Sequence, residues 1–371
     1  MPKFINGPVN YIKLVGKINN IKKNILIFMD MHIDLNNQTR CESFDSYDIS
    51  QYLYNQIKNA QIPLDFFMEI RNEQIDQPKS KKRDIYIKDV IELFKTEFIL
   101  EKDKVKYSKI NPNVRLHYLD IRDHLHIFKL SNVVNNELLS NLTSLKNNSL
   151  TIEIKNNIIY SIKNNIYIIT QYIEQLFNNK IMIQQKKHDG NFNYKSQNYY
   201  LNKIINKYND NNIKSKINYF LNLYIIDYNA KFQSIMLNIF QNIMYYSNDI
   251  NNINYINNIL SYINDLNEII LKIYTIFTDV YFLRRFLDKI YITNAITYCG
   301  RYHALNYIFF LVKYCDFKII QMYDSKGLTL DDVMNKIKNT NDFNEVYNLF
   351  LIKGETPLQC IPNVPIDPMI V

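Results

Sequence analysis

The sequence predicts an α/β protein: a central, mainly parallel sheet with flanking helices and a large helical insertion. Three observations predict it. Short apolar runs of strand length, Ile25–Met29 above all, end on polar residues, as buried parallel strands do where they leave a sheet. Segments with apolar residues three and four apart alternate with those runs, which is the pattern of helices crossing over a sheet. Between about 127 and 275 the strand-like runs stop, glycine almost vanishes and Ile, Leu, Phe and Tyr recur at helical spacing. The expected organisation is residues 1–135 and 276–352 as two halves of one α/β core, 136–275 as the helical insertion, and 353–371 as a Pro-rich extended tail.

In order, residues 11–31 lead into the sheet, with Ile25–Met29 as a strand that ends on Asp30-Met31-His32. Ser46–Ile57 has the helical spacing Ile49, Tyr52, Leu53, Ile57. Leu64–Ile70 is a second strand and ends beside Glu69 and Arg71. Residues 84–98 form a helix with Ile87, Val90, Ile91 and Phe94 on one face. Val114–Asp123 is a third strand: Val114, Leu116, Tyr118, Asp120 and Arg122 share one parity, and Arg115, His117, Leu119 and Ile121 the other. The insertion has its clearest break at Lys186–Asn191, and its many asparagines lower helix propensity, so packing must hold it. The core resumes with a helix over 279–289 and a β-branched, aromatic strand over Tyr291–Cys299. Gly300, an apolar helix from Ala304 to Val312, a last strand over Phe317–Met322 and helices over 328–337 and 343–352 follow. Pro357, Pro362, Pro365 and Pro368 exclude a helix from the tail, which could lie across the body, add to an edge or hang free; an extended arm that docks on a neighbour is the expectation.

Composition narrows the function classes. With 47% hydrophobic and 22% charged residues, the 371-residue chain is not a disordered one. The net charge of +8 is spread out. Its densest run, Lys79-Ser80-Lys81-Lys82-Arg83, reads as a solvated loop, so nucleic acid is not an expected partner. No apolar stretch reaches about 18 residues, and neither a membrane span nor a signal segment is expected. None of the four cysteines (Cys41, Cys299, Cys315, Cys360) forms a CxxC pair, which argues against a zinc ribbon or a thioredoxin motif. They are expected to be free thiols in a reducing compartment. The excess of Asn, Ile, Lys and Tyr matches coding by an AT-rich genome.

Parallel strands deliver their C-terminal ends to one edge, so residues distant in sequence meet there. His32 and His303 each follow a strand-like run closely, Glu69 ends another, and Asp120 and Arg122 end a fourth. Asp30, His32, Glu69 and His303 are the right types to hold a divalent cation: zinc, manganese or iron. Such an ion with an open position can activate water. Arg71, Arg122 or Arg301 could steady an anion or a developing oxyanion. Each residue has a structural alternative. His32 could be a loop histidine, His303 could serve a helix N-terminus, Glu69 could only pair Arg71, and Asp120 with Arg122 could be an internal ion pair. Cys299 beside His303 could be a nucleophile. His117, His124 and His126 match no standard zinc spacing.

Phe28-Met-Asp-Met-His32, Phe67-Met-Glu-Ile-Arg71 and Cys299-Gly-Arg-Tyr-His303 resemble motifs of the superfamily that includes TraB/PrgY, Tiki, ChaN and erythromycin-esterase-like proteins. Those proteins carry Gly-x-x-His near the start, a glutamate after a later strand, and a second Gly-x-x-His near the end. The second motif is intact as Gly300-Arg-Tyr-His303, Glu69 matches the acidic position, and in the first motif Met29 replaces the glycine while His32 remains. The resemblance implies a metal-dependent peptidase or hydrolase site, or haem, which one branch binds. It covers roughly a third of the chain. Val114–Arg122 and Asp279–Arg285 also resemble stretches in uncharacterised proteins of large cytoplasmic DNA viruses, which implies the host cytoplasm or the virion.

Two functions are therefore expected. The first is a metal-dependent hydrolase acting on an ester, amide or phosphoryl bond. His32, Glu69 and His303 would hold the ion, Asp30 or Asp120 would orient or deprotonate water, and Arg122 or Arg301 would steady the developing charge. The second is a catalytically inactive structural or interaction protein, such as a viral particle component, that self-associates or binds a protein through its tail. The altered first motif, the 30 tyrosines and the tail motivate it.

Overall fold

The computed structural model describes residues 2–31, 37–69, 85–101, 104–119, 121, 130, 133–146, 150–177, 197–249, 252–323, 326–350 and 358–364. Residues 1–120 and 281–371 make one compact unit and residues 121–280 another.

The α/β unit begins with β1 (Phe4–Asn6) and the long hairpin of β2 (Asn10–Ile18) and β3 (Ile21–Asp30). Asn19 and Asn20 turn the hairpin with φ of 49° and 65°. Two left-handed residues in succession are what a two-residue loop needs to match strand twist, and asparagine adopts that region readily. Next come β4 (Ser46–Asp48), α1 (Ile49–Asn59), β5 (Leu64–Met68), α2 (Ile85–Glu97), the hairpin strands β6 (Phe98–Glu101) and β7 (Lys104–Ser108), and β8 (Val114–Tyr118). The helical unit has a π-helical turn, Val133–Leu138, that runs into α3 (Leu139–Leu145). It continues with α4 (Ile152–Phe177), α5 (Gln197–Ile205), α6 (Asn211–Asn248) and α7 (Ile253–Asp288), inside which the boundary between the units falls. The α/β unit closes with β9 (Asn294–Gly300), α8 (Arg301–Cys315), β10 (Lys318–Met322), α9 (Leu330–Asn339), α10 (Phe343–Phe350) and β11 (Cys360–Pro362).

The main sheet has the order β10-β2-β3-β9-β5-β8. Strands β3, β9, β5 and β8 are mutually parallel, and β2 is antiparallel to both of its neighbours. The mainly parallel sheet with flanking helices agrees with the fold class read from the sequence. One face carries Leu26, Phe28, Phe66, Met68, Leu116, Ile296 and Tyr298, packed with Tyr52, Leu53 and Ile57 of α1 and Val90 and Phe94 of α2. On the opposite face Phe67 meets Phe282 of α7 edge-on, and Phe282 stacks on Tyr307 of α8. Helix α8 is buried along almost its whole circumference, which explains why its sequence is apolar on every side. At Gly16 in β2 an added Cβ would lie 2.4 Å from the Phe317 ring, so only glycine lets that ring close over the strand.

In the helical unit, α6 buries Ile213, Ile217, Phe220, Tyr224, Tyr228, Phe232, Met236, Ile239 and Ile243, a three- and four-residue progression that forms one stripe. Asp210 caps its first turn by accepting from the backbone N–H of Asn212 and Ile213. The break expected at Lys186–Asn191 lies outside the described residues.

Three expectations need correction. Ser46–Ile57 is not all helix: Ser46–Asp48 form β4, which pairs in parallel with β1 before α1 starts. The tail docks on its own chain in its described part, where β11 adds antiparallel to β1 and completes a sheet of order β11-β1-β4. Only two of the cysteines are free. Cys41 and Cys360 are joined by a disulfide with Cα atoms 5.0 Å apart, whereas Cys299 and Cys315 are buried thiols. Cys41 lies between β3 and β4, so β11 brings its cysteine to the one segment where it can be bridged.

Candidate functional site

The path of the chain through the sheet locates the site. From β3 the chain crosses over β9, by way of α1, to reach β5. From β9 it crosses by α8 in the opposite direction, over β3 and β2, to β10. The strand order therefore reverses between β3 and β9. In open α/β sheets the crevice at the carboxyl ends of such a strand pair is where ligands bind. At that point Asp30, the last residue of β3, stands level with Gly300, the last of β9. Asp30 is fully buried.

Glu69 follows β5 directly and reaches the same place. One carboxylate oxygen, Oε2, accepts the Gly300 backbone N–H at 2.8 Å. The other, Oε1, lies 3.2 Å from His303 Nε2. Both side chains are more than nine-tenths buried. Gly300 is the N-cap of α8 and His303 lies in its first turn. A carboxylate there also meets the positive end of the helix dipole. The structure thus brings Glu69 and His303 together from segments more than 230 residues apart, beside the end of the strand that carries Asp30.

Arg301 is the first residue of α8 and is only 8% exposed. Its guanidinium lies 5.3 Å over the Tyr347 ring, and Tyr302 stacks on the same ring at 5.0 Å. Burial pulls its pKa down, partly offset by Tyr347 and Tyr302. Its Nη2 is buried and has no hydrogen-bond partner among the described residues.

Of the other expected site residues, His32, Asp120, Arg122 and Arg71 lie outside the described residues, as do His124 and His126. Cys299 is buried in β9. Two atoms bound tetrahedrally to one divalent ion at about 2.0–2.1 Å sit roughly 3.3 Å apart. The 3.2 Å between Glu69 Oε1 and His303 Nε2 therefore fits two positions of one coordination sphere as well as it fits a hydrogen bond. Among the described residues no group of three His, Cys, Asp or Glu side chains is arranged to hold an ion. The remaining expected ligand, His32, is one of the residues not described.

A second polar network was not foreseen. Asp65, fully buried near the start of β5, accepts from Arg115 Nε at 2.8 Å and Nη2 at 2.6 Å. It also pairs with His117 Nε2 at 2.7 Å. His117 Nδ1 lies 2.8 Å from Arg285 Nη2. An arginine nitrogen can only donate, so Nδ1 accepts and the proton of a neutral His117 sits on Nε2, directed at Asp65. Burial depresses the His117 pKa below its ordinary 6.5, with Arg285 and Arg115 acting in the same sense and Asp65 opposing. The ring stacks on Phe67 at 4.6 Å. Nearby, the buried Lys23 ammonium donates to the carbonyls of Phe286, Lys289 and Ile292, at and beyond the C-terminal end of α7. Burial brings its pKa down from 10.5 to about 8, against the pull of Asp65 and Asp288. The signal available in the sequence was Asp65 itself: a lone acid inside an apolar strand must find a cation or a donor. Arg115 and His117 share one face of the neighbouring strand, where they can supply both.

Comparison with known proteins adds a family. Residues 3–365 match the model of DUF5847, a family of unknown function. The chain belongs to this family. It is 30% identical to uncharacterized protein R706 of Acanthamoeba polyphaga mimivirus, over 87% of each chain. Identity to protein R161 of the same virus is 29%, over 97% of each chain. Identity to protein R160 is 31%, over 91% of this chain and 90% of the relative. No solved structure matches. The chain thus has several relatives among giant-virus proteins, and no helix among the described residues is long and apolar enough to cross a membrane.

Proposed function

We propose that this member of DUF5847 is a hydrolase of ester, amide or phosphoryl bonds, with its reaction centre at the Glu69–His303 pair. The observation that supports this reading is the 3.2 Å approach of those two side chains at the strand reversal beside Asp30. In this reading Glu69 takes a proton from the attacking water as its oxygen adds to the carbonyl or phosphoryl centre. His303 returns a proton to the leaving group, so the net change is one bond hydrolysed and one water consumed. With a divalent ion bound instead, Glu69, His303 and His32 would be its ligands, the ion would polarise the scissile group and lower the pKa of water, and Asp30 or Asp120 would take the proton. The resemblance of Gly300-Arg-Tyr-His303 and Glu69 to the TraB, Tiki and ChaN superfamily supports the same placement.

The test is a panel of ester, amide and phosphoryl substrates assayed with zinc, manganese or iron supplied, combined with metal analysis of protein purified without chelator. Glu69→Gln and His303→Ala are each expected to lower turnover by about 10²–10⁴-fold. Hydrolysis that survives both substitutions, or wild-type protein inert towards every substrate class, overturns the reading.

One observation favours a second reading, that of a catalytically inactive structural protein. The Glu69 bond to Gly300 is also a sound way to anchor the start of α8, and the Cys41–Cys360 bridge fixes the docked tail. Disulfides persist at virion surfaces and not in reducing cytosol, so the bridge supports a place in the particle over the host cytoplasm. Blocking the thiols of freshly isolated virions and of infected cytosol, then mapping the Cys41–Cys360 peptide by mass spectrometry, separates the two locations.

A further inference from the structure

We infer that Arg301 is an anion anchor at the start of α8, placed to hold a carboxylate or phosphate group of a bound molecule. For the word substrate this rests on the hydrolase reading; for anion binding it stands alone. A guanidinium stays charged at any physiological pH, and burying a charge without a partner costs several kcal/mol. Arg301 is 8% exposed, and its Nη2 is buried without a partner among the described residues. The contact with Tyr347 recovers only part of that cost, because a cation over an aromatic face is worth less than a carboxylate beside it.

By contrast, Arg115 in the same sheet donates three hydrogen bonds, to both oxygens of Asp65 and to the Tyr291 carbonyl. Arg284 and Arg285 each leave a buried Nε without a hydrogen-bond partner among the described residues, so the shortfall counts for Arg301 only together with where it sits. Position points the same way. Arg301 opens α8, two residues before His303, where unpaired N–H groups and the dipole favour negative charge. An oxyanion bonded to Nη2 would complete the donor set.

The experiment measures thermal unfolding and isothermal titration of the full chain against inorganic phosphate and against acetate at constant ionic strength. Wild-type protein is expected to gain a saturable rise in melting temperature from at least one of the two, and the stronger one identifies the group. Arg301→Met should lose that response, with affinity down about tenfold or more, while melting at the same or a higher temperature than wild type in anion-free buffer. Arg301→Lys keeps the charge without the planar fork and should retain a weakened response, which covers the case of a methionine variant that does not fold. Equal anion responses in wild type and Arg301→Met, or in wild type and Arg301→Lys where the methionine variant does not fold, or no response in wild type, would each overturn the inference. Hydrolysis assays on wild type separate the two proposals: an anion response that Arg301→Met loses, in a protein that hydrolyses no substrate, removes the enzyme reading and leaves the anchor.

Discussion

Strand β5 carries a buried carboxylate near its start, Asp65, and another just past its end, Glu69, and each meets a histidine. The surroundings differ. Asp65 accepts bonds from Arg115 and His117, and His117 passes the link on to Arg285, so charge is spread over a network between strands and helix that closes around Asp65. Glu69 binds a backbone N–H and an imidazole, while the arginine nearest in sequence to that imidazole keeps a buried nitrogen unmatched. The difference teaches that residue types do not mark a functional site, since the two pairs are nearly identical chemically. Nor does a shortfall in pairing by itself, since Arg285 in the first network also keeps a buried Nε without a partner among the described residues; what differs is the place of Glu69 and His303, at a strand reversal and a helix N-terminus.

The largest expected effect tests the closed half. Asp65→Asn removes the only carboxylate in direct contact with Arg115 and His117 among the described residues, and should cost about 3–5 kcal/mol in urea unfolding. Glu69→Gln, which can still accept the Gly300 N–H, should cost only about 1 kcal/mol. Equal losses would erase the distinction between a structural and a functional pair. Next in size, Lys23→Met strands three carbonyls at the end of α7 and should cost roughly 2–3 kcal/mol by the same measurement.

The smallest effects are in pH dependence. His117 has a folded pKa below 6.5, so as pH falls through that value the unfolded chain takes up protons that the folded chain refuses. Stability is held above about pH 6.5 and lost below it, and His117→Gln should flatten that slope. Lys23 acts at the other end. With a folded value near 8 against 10.5, the unfolded chain binds more protons between those limits, so this residue makes stability rise with pH there. Urea midpoints collected from pH 5 to 10 for wild type, His117→Gln and Lys23→Met check both signs.

Much of the α/β core was legible in the sequence because its strands are apolar runs long enough to show a pattern. Ile25–Met29 lies within β3, Leu64–Met68 is β5, and Val114–Tyr118 is β8. Strands β1, β4 and β11 have three residues each, too few for any period, and they exist because they pair with one another. Glu69 and His303 could be placed near each other because parallel strands share an exit edge. The Asp65 partners could not be, because they depend on the register that sets Asp65 opposite Arg115 and Phe67 opposite His117. The disulfide was invisible for a simpler reason: its cysteines are 319 residues apart, and nothing local pairs them.

That separation has a consequence for biosynthesis. A ribosome must deliver the 319 residues that follow Cys41 before Cys360 can meet it, so the segments between them emerge before they can be fastened. A product cut short after α10 would carry every strand of the main sheet yet never be locked. On a non-reducing gel the bond therefore reports that translation has passed Cys360.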